Sequence, residues 1–143
     1  MKGPTPILIF TGNMNSEFYQ TILRNYLLPF TDLNFPNGYW LIKDNDPKHV
    51  SKSTKTFMEQ NNINWWPTPP ESPDINIIEN VWHALKYMYH LRLRVKPSNQ
   101  AELIDGIKQF WISLTPEKCR NYITHVHKVL PVVVEKWGDV SGF

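Results

Sequence analysis

Apolar and polar positions along the chain predict a short series of strands and helices. Pro6-Ile7-Leu8-Ile9-Phe10 is an apolar run ahead of Thr11-Gly12 and reads as a buried strand. Asn15 or Ser16 caps the next helix, in which Phe18, Ile22, Leu23, Tyr26 and Leu27 repeat at helical spacing until Pro29 stops the pattern. Residues 31–38 read as loop. Tyr39-Trp40-Leu41-Ile42, aromatic and branched, reads as a second buried strand. Residues 49–60 carry a thin apolar face of Val50, Phe57 and Met58, with Lys52 and Lys55 outside it, and read as one helix. Ile63-Asn64-Trp65-Trp66 is a third short strand.

Four prolines then make residues 67–73 a stiff loop that refuses both helix and ladder. The helix from about residue 76 to 91 has a buried stripe of Ile78, Val81, Trp82, Leu85, Met88 and Tyr89. Glu79, His83, Lys86 and His90 lie on another face, and Arg92, Arg94 and Lys96 follow its end. Asn99 with Glu102 has the form of a capping box for a helix lined by Leu103, Ile107, Phe110, Trp111 and Leu114. Thr115-Pro116 opens a last helix lined by Cys119, Tyr122, Ile123 and Val126, and Pro131 is expected to break or kink it. The sum is an α/β domain of about three short strands and four to five helices, with no internal repeat and no interior boundary.

Composition narrows the class without naming a function. A chain of 143 residues, 41% hydrophobic and 20% charged, is one globular domain's worth. Its net charge of +2 is too small to argue a nucleic-acid partner unaided. Cys119 is the single cysteine, which excludes an internal disulfide and a cysteine zinc cluster and suits a reducing compartment. No apolar signal core follows Met1-Lys2-Gly3-Pro4, and no run approaches spanning length, so the expectation is an intracellular protein without a membrane partner.

The candidate chemistry lies in two acids on two elements. Asp44 stands where the second strand ends, and Glu79 in the first turns of a helix. Carboxylates so placed can converge on a hard divalent cation such as Mg²⁺ or Mn²⁺ and support metal-assisted phosphoryl transfer. Their ordinary roles are turn initiation for Asp44 and a favourable charge at a helix start for Glu79. Asp46 reads as non-catalytic and Asp74 as a turn and cap residue. His49 packs or hydrogen-bonds locally, since its oxygen-ligand neighbours argue against zinc. Lys48, His83, Lys86, Arg92 and Arg94 are candidates for a phosphate backbone, against the ordinary reading of a solvated helix face. Trp82 and Trp111 belong to apolar stripes; Trp65 and Trp66 stay open between core and base stacking.

Two motifs carry a family resemblance. Asp44-Asn45-Asp46-Pro47-Lys48-His49, then Ser72-Pro73-Asp74-Ile75-Asn76-Ile77-Ile78-Glu79-Asn80-Val81-Trp82, resembles the catalytic core of mariner-like DDE transposases. Thirty-four residues lie between Asp44 and Glu79, the interval of the family branch whose third acid is glutamate. Gly12-Asn13-Met14-Asn15-Ser16-Glu17-Phe18-Tyr19, with position 18 variable, resembles a segment upstream of these motifs, and Trp137-Gly138 with Ser141-Gly142-Phe143 resembles the family's tail. Ile75 and Ile77 replace the usual leucine and proline.

The resemblance implies a ribonuclease-H-like fold in which Asp44 and Glu79 ligate Mg²⁺ or Mn²⁺ for DNA cleavage and strand transfer. It implies transposon ends and target DNA as partners, no small-molecule cofactor, and a nuclear location. The family's first aspartate sits on a strand well upstream of the Gly12 segment, yet no Asp or Glu precedes Glu17. Residues 1–143 are therefore expected to be a catalytic domain truncated at its amino terminus, lacking the DNA-binding domains and inactive alone. The alternative is a non-catalytic, transposase-derived DNA-binding or protein-interaction module. By the same resemblance residues 7–10, 39–42 and 64–66 match the third, fourth and fifth strands. The last two should pair in parallel, leaving an edge that is open, filled by residues 7–10, or closed by a second chain as a homodimer.

Overall fold

The computed structural model describes residues 2–67, 76–88 and 97–137. Its packing divides into two units, Phe10–Glu71 and Met1–Ile9 with Ser72–Phe143, each with its own core. Among the described residues the chain is mixed α/β, mostly helical, with one short parallel sheet.

The first unit opens with α1 (Ser16–Ile22), capped by Asn15, whose Oδ1 accepts from the Phe18 N–H at 2.8 Å. Pro29 does not stop the helix. A π-helical segment, Leu23–Leu27, leads into α2 (Leu28–Asn34), which carries the chain through the proline. A proline has no N–H for the ladder, and the turn ahead of it widens so that the Leu28 N–H reaches Leu23 O. Buried Thr31 then donates its hydroxyl to Leu27 O and Leu28 O, each at 3.0 Å.

Two strands follow, β1 (Leu41–Lys43) and β2 (Trp65–Pro67). They pair in parallel, with Leu41 opposite Trp65 and Lys43 opposite Pro67. Proline is tolerated there because β2 ends with it. Parallel neighbours need a crossover, supplied by α3 (Pro47–Val50) and α4 (Lys52–Gln60). The periodicity predicts one helix over this stretch, but Ser51, at ψ 151°, divides it. Its hydroxyl accepts from the Thr54 N–H at 3.2 Å, and Thr54, fully buried, donates its own hydroxyl to Lys48 O at 2.8 Å. A capping serine and a buried threonine thus replace one helical turn.

Leu23, Phe57, Met58 and Ile63 form the core of this unit, with Tyr19, Leu27, Leu28, Tyr39, Leu41 and Trp65 packed around them. Alternation along the strands turns Leu41 and Trp65 inward and leaves Trp40, Ile42 and Trp66 exposed. Trp40 and Trp66 meet edge to face at 5.7 Å between ring centroids. Trp65 is therefore a core residue and Trp66 a surface one.

The strand expected at residues 6–10 does not form, and β2 is the one strand partner of β1 among the described residues. An apolar run becomes a strand only when a neighbour takes its backbone groups. Here the segment is held by side chains instead. Thr5 O accepts from the Trp111 Nε1–H at 2.7 Å, and Ile7, Leu8 and Ile9 are half-buried.

The second unit contains α5 (Ile77–Tyr87), α6 (Gln100–Ile112) and α7 (Pro116–Glu135). Val81, Leu85, Phe110 and Leu114 form its buried cluster, with Trp82 and Trp111 against it. Asn99 Oδ1 caps α6 from the Glu102 N–H at 2.9 Å, and the Glu102 carboxylate accepts from the Ser98 N–H at 2.7 Å. Thr115 caps α7, whose first residue is Pro116. Pro131 does not end α7, which runs on to Glu135. It removes one intrahelical bond, while fully buried Val129 and half-buried Val132 and Val133 keep the last turn packed. Cys119 packs on the cluster, and burial pushes its thiol pKa up. Among the described residues no helix is long and apolar enough to cross a membrane.

The stretch predicted as a proline loop beyond Pro67, together with Asp74, Tyr89, His90, Arg92, Arg94, Lys96 and the tail from Gly138, lies outside the described residues.

Met58, with no exposure, is the residue on which the first core closes. Met58→Ala is expected to destabilise the protein by about 2–4 kcal/mol. Trp137→Ala, at 98% exposure, should stay within about 0.5 kcal/mol. Urea denaturation followed by circular dichroism measures both, and equal midpoints for the two variants would contradict the assignment of the core.

Candidate active site

The carboxyl end of β1 delivers Asp44 as the next residue after Lys43. Its Oδ1 accepts from the Asp46 N–H at 3.2 Å, which turns the chain toward α3. The same oxygen pairs with His49 Nδ1. A carboxylate only accepts, so the proton of this bond sits on Nδ1. Among the described residues both contacts to Asp44 fall on Oδ1. The carboxylate is 58% exposed while the His49 side chain is 17% exposed. His49 is thus the fixed member of the pair and Asp44 the solvent-facing one.

His49 is fixed from behind by Tyr19 of α1, with ring centroids 4.2 Å apart and planes tilted by 40°. Burial, and then the nearby Asp44 charge, push the Tyr19 phenol up to about 12. Lys43, buried at the end of β1, is lowered by burial and by Lys55, while Asp44 opposes the shift. Asp46 serves as the cap of α3, accepting from the Lys48 N–H at 3.0 Å and pairing with the Lys48 ammonium. Those bonds from Lys48 hold its carboxyl below the usual range. Asp46 is therefore structural, and the Lys48 ammonium is already engaged by a carboxylate.

Glu79 occupies the first turn of α5 and is exposed. Asn76 stands at the N-cap without a side-chain capping bond, so the exposed N–H groups of that turn favour the Glu79 charge. His83 and Lys86 are exposed on the same helix. Trp82 and Trp111 lie 6.2 Å apart between ring centroids in the second core, as their apolar stripes predict. Asp44 and Glu79 are each held within a separate unit. Among the described residues no three His, Cys, Asp or Glu side chains assemble as a metal-holding group. The donor chemistry of the two exposed carboxylates fits a hard cation that keeps several waters.

Sequence reasoning missed the place of Tyr19 behind His49. Twenty-nine residues lie between the two in sequence, and nothing in local periodicity signals the contact.

The family described as DDE superfamily endonuclease matches residues 1–104. The chain belongs to the DDE superfamily endonucleases. Curated relatives include the Tc1 transposase of Caenorhabditis elegans, 31% identical over 139 residues, covering 96% of this chain and 50% of that protein. The Tc3 transposase of the same organism is 27% identical over 142 residues, covering 99% and 43% respectively. The Tcb1 transposase of Caenorhabditis briggsae is 30% identical over 110 residues, covering 76% and 39%. The chain thus spans half or less of the length of these transposable-element transposases. A solved structure of the Mos1 transposase catalytic domain, described with Raltegravir and Mg, is similar in fold at a TM-score of 0.74 and 18% identity. That likeness covers 90% of this chain and 65% of the other. The DDE-type fold implied by the two motifs is therefore the fold observed, ribonuclease-H-like and mostly helical around a short parallel sheet.

Tyr19 supplies a test of the local electrostatics of this DDE domain. Its folded pKa lies above the unfolded value of 10.0, so its contribution to stability is complete below that value and is lost as pH rises toward about 12. Spectrophotometric titration should show one late-ionising phenol that Tyr19→Phe removes. Asp44→Asn should lower its pKa without restoring it to the ordinary range, because burial is the larger cause. A late phase that survives Tyr19→Phe would overturn the assignment.

Proposed function

We propose that this chain is part of a transposase catalytic domain in which Asp44 and Glu79 hold one divalent cation, Mg²⁺ or Mn²⁺, for cleavage and strand transfer of DNA. The observation that carries the reading is the exposed Asp44 carboxylate at the carboxyl end of β1, held among the described residues through Oδ1 and matched to Glu79 at a helix start, with thirty-four residues between them. The membership in the DDE superfamily endonucleases and the similarity to the Tc1 and Tc3 transposases support it. Transposon ends and target DNA are the proposed partners, and the nucleus the proposed location.

The cation, when bound, would polarise a phosphodiester and lower the pKa of bound water. What the chain's own residues do is narrower. His49 donates from Nδ1 to Oδ1 and fixes the orientation of the exposed Asp44 carboxylate. The Asp46 N–H holds the same Oδ1 and keeps the turn after β1 closed. Tyr19 keeps water off the inner face of the His49 ring. Preorganised groups of this kind contribute by costing little reorganisation at the moment of reaction.

Two carboxylates give a divalent cation few protein ligands, so the chain alone is expected to bind Mn²⁺ weakly and to cut DNA poorly. This favours keeping a second reading, a DNA-binding or protein-interaction module that has lost catalysis.

The test is Mn²⁺ binding by electron paramagnetic resonance, alongside nicking of supercoiled plasmid. Asp44→Ala and Glu79→Ala should each weaken Mn²⁺ binding by about tenfold or more, and neither chain should nick efficiently. Mn²⁺ affinity that depends on Asp44 and is indifferent to Glu79 would separate the two acids. Robust nicking abolished by Asp44→Ala would show that this chain is catalytically complete.

A further inference from the structure

We propose that the open groove between α1 and α4 is a seat for the phosphate backbone of duplex DNA, a contact surface distinct from the carboxylates. The proposal rests on the reading above that this domain acts on DNA, and it names a surface which that reading does not contain. The groove is lined by Gln20 and Arg24 of the first helical stretch and by Lys52, Ser53, Thr56 and Gln60 of α4, with Phe57 as its floor. Its volume is about 640 Å³.

Three features make this groove specific for phosphate. Its lining contains two cations and no carboxylate, so a polyanion meets only complementary charge. Its other polar groups are hydroxyls and amides, which donate to phosphate oxygens as readily as to water. The position of the Arg24 charge is also set in advance. Its guanidinium carbon lies 5.0 Å from the centre of the buried Phe57 ring, so the planar fork rests on an aromatic face with its edge free to donate. Gln20 Nε2 donates to Ser53 Oγ at 3.3 Å and closes one side of the groove.

The same helix ties the groove to the acid. Tyr19, which backs His49 and through it Asp44, precedes Gln20 directly, so the two surfaces diverge from adjacent residues of α1. A backbone seated in the groove is thereby set in a fixed relation to Asp44. The basic candidates drawn from the sequence lie elsewhere: Lys48 is paired with Asp46, and His83 and Lys86 stand on α5.

The experiment is fluorescence anisotropy of the full chain with two labelled duplexes of unrelated sequence, in EDTA, over a series of salt concentrations. Each phosphate contact removed should lower the slope of log Kobs against log salt by about 0.9. The double variant Arg24→Ala with Lys52→Ala should lower it by about two, equally for both duplexes. Lys52→Gln, at an exposed position outside the core, should lower it by about one and keeps the proposal testable if loss of the Arg24 contact with Phe57 weakens folding. Arg24→Lys should retain the slope. An unchanged slope in Lys52→Gln and the double variant, or a wild-type chain that binds neither duplex, overturns the groove. The metal reading fails separately, as Mn²⁺ binding indifferent to Asp44→Ala or Glu79→Ala, and with EDTA present the salt slope is untouched by that failure.

Discussion

The parallel pairing of β1 with β2 is the constraint on which the candidate site depends. Parallel neighbours cannot be joined by a tight turn, so the chain must leave β1, cross over through helices and return alongside it. That requirement places a turn directly at the carboxyl end of β1 and a helix directly after it. Asp44 occupies the turn, and Asp46 caps the helix. The same crossover brings Phe57, Met58 and Ile63 beneath the sheet and closes the core that holds the strands in register. Position of the acid and stability of the unit thus have one cause.

The crossover is also where polar groups carry the structure. Ser51 interrupts the helix, and Thr54, fully buried, hands its hydroxyl to Lys48 O. A buried hydroxyl left unpaired would cost about 1–3 kcal/mol, so the bond fixes the angle at which α3 leaves α4. His49 lies on α3, and its contact with Asp44 depends on that angle. Tyr19 completes the arrangement from α1, and its burial is the larger reason that its phenol resists ionisation. The exposed carboxylate is therefore braced by partly and fully buried residues on three helices.

The legible part of this architecture was whatever depends on local pattern. The helix caps at Asn15, Asn99 and Thr115, the two central strands and the apolar stripes of Trp82 and Trp111 all follow from spacing and residue type. So did Asp44 at a strand end and Glu79 at a helix start. The failures share a different cause, compensation by distant or unusual groups. Pro29 signals a stop, because a π turn that absorbs it has no sequence signature. Pro131 signals a break or kink, and the helix runs on because packing around Val129 outweighs the one lost bond. Residues 6–10 have strand character without a strand partner, and strand formation is decided by the neighbour, not by the run. Tyr19 behind His49 and Arg24 over Phe57 are long-range ring contacts, invisible to any window of periodicity.

The two acids belong to two cores, and this bears on how such a domain would respond to its cation. Asp44 is supported by the Met58-centred cluster and Glu79 by the cluster around Val81 and Leu85. On the proposed reading a divalent ion takes ligands from both carboxylates. Such an ion binds the native arrangement and not the unfolded chain. At a hundredfold excess over its dissociation constant it would stabilise the pair by about 2.7 kcal/mol. That is a sizeable fraction of the total stability of an ordinary domain. On the proposed reading, metal binding contributes to stability as well as to chemistry.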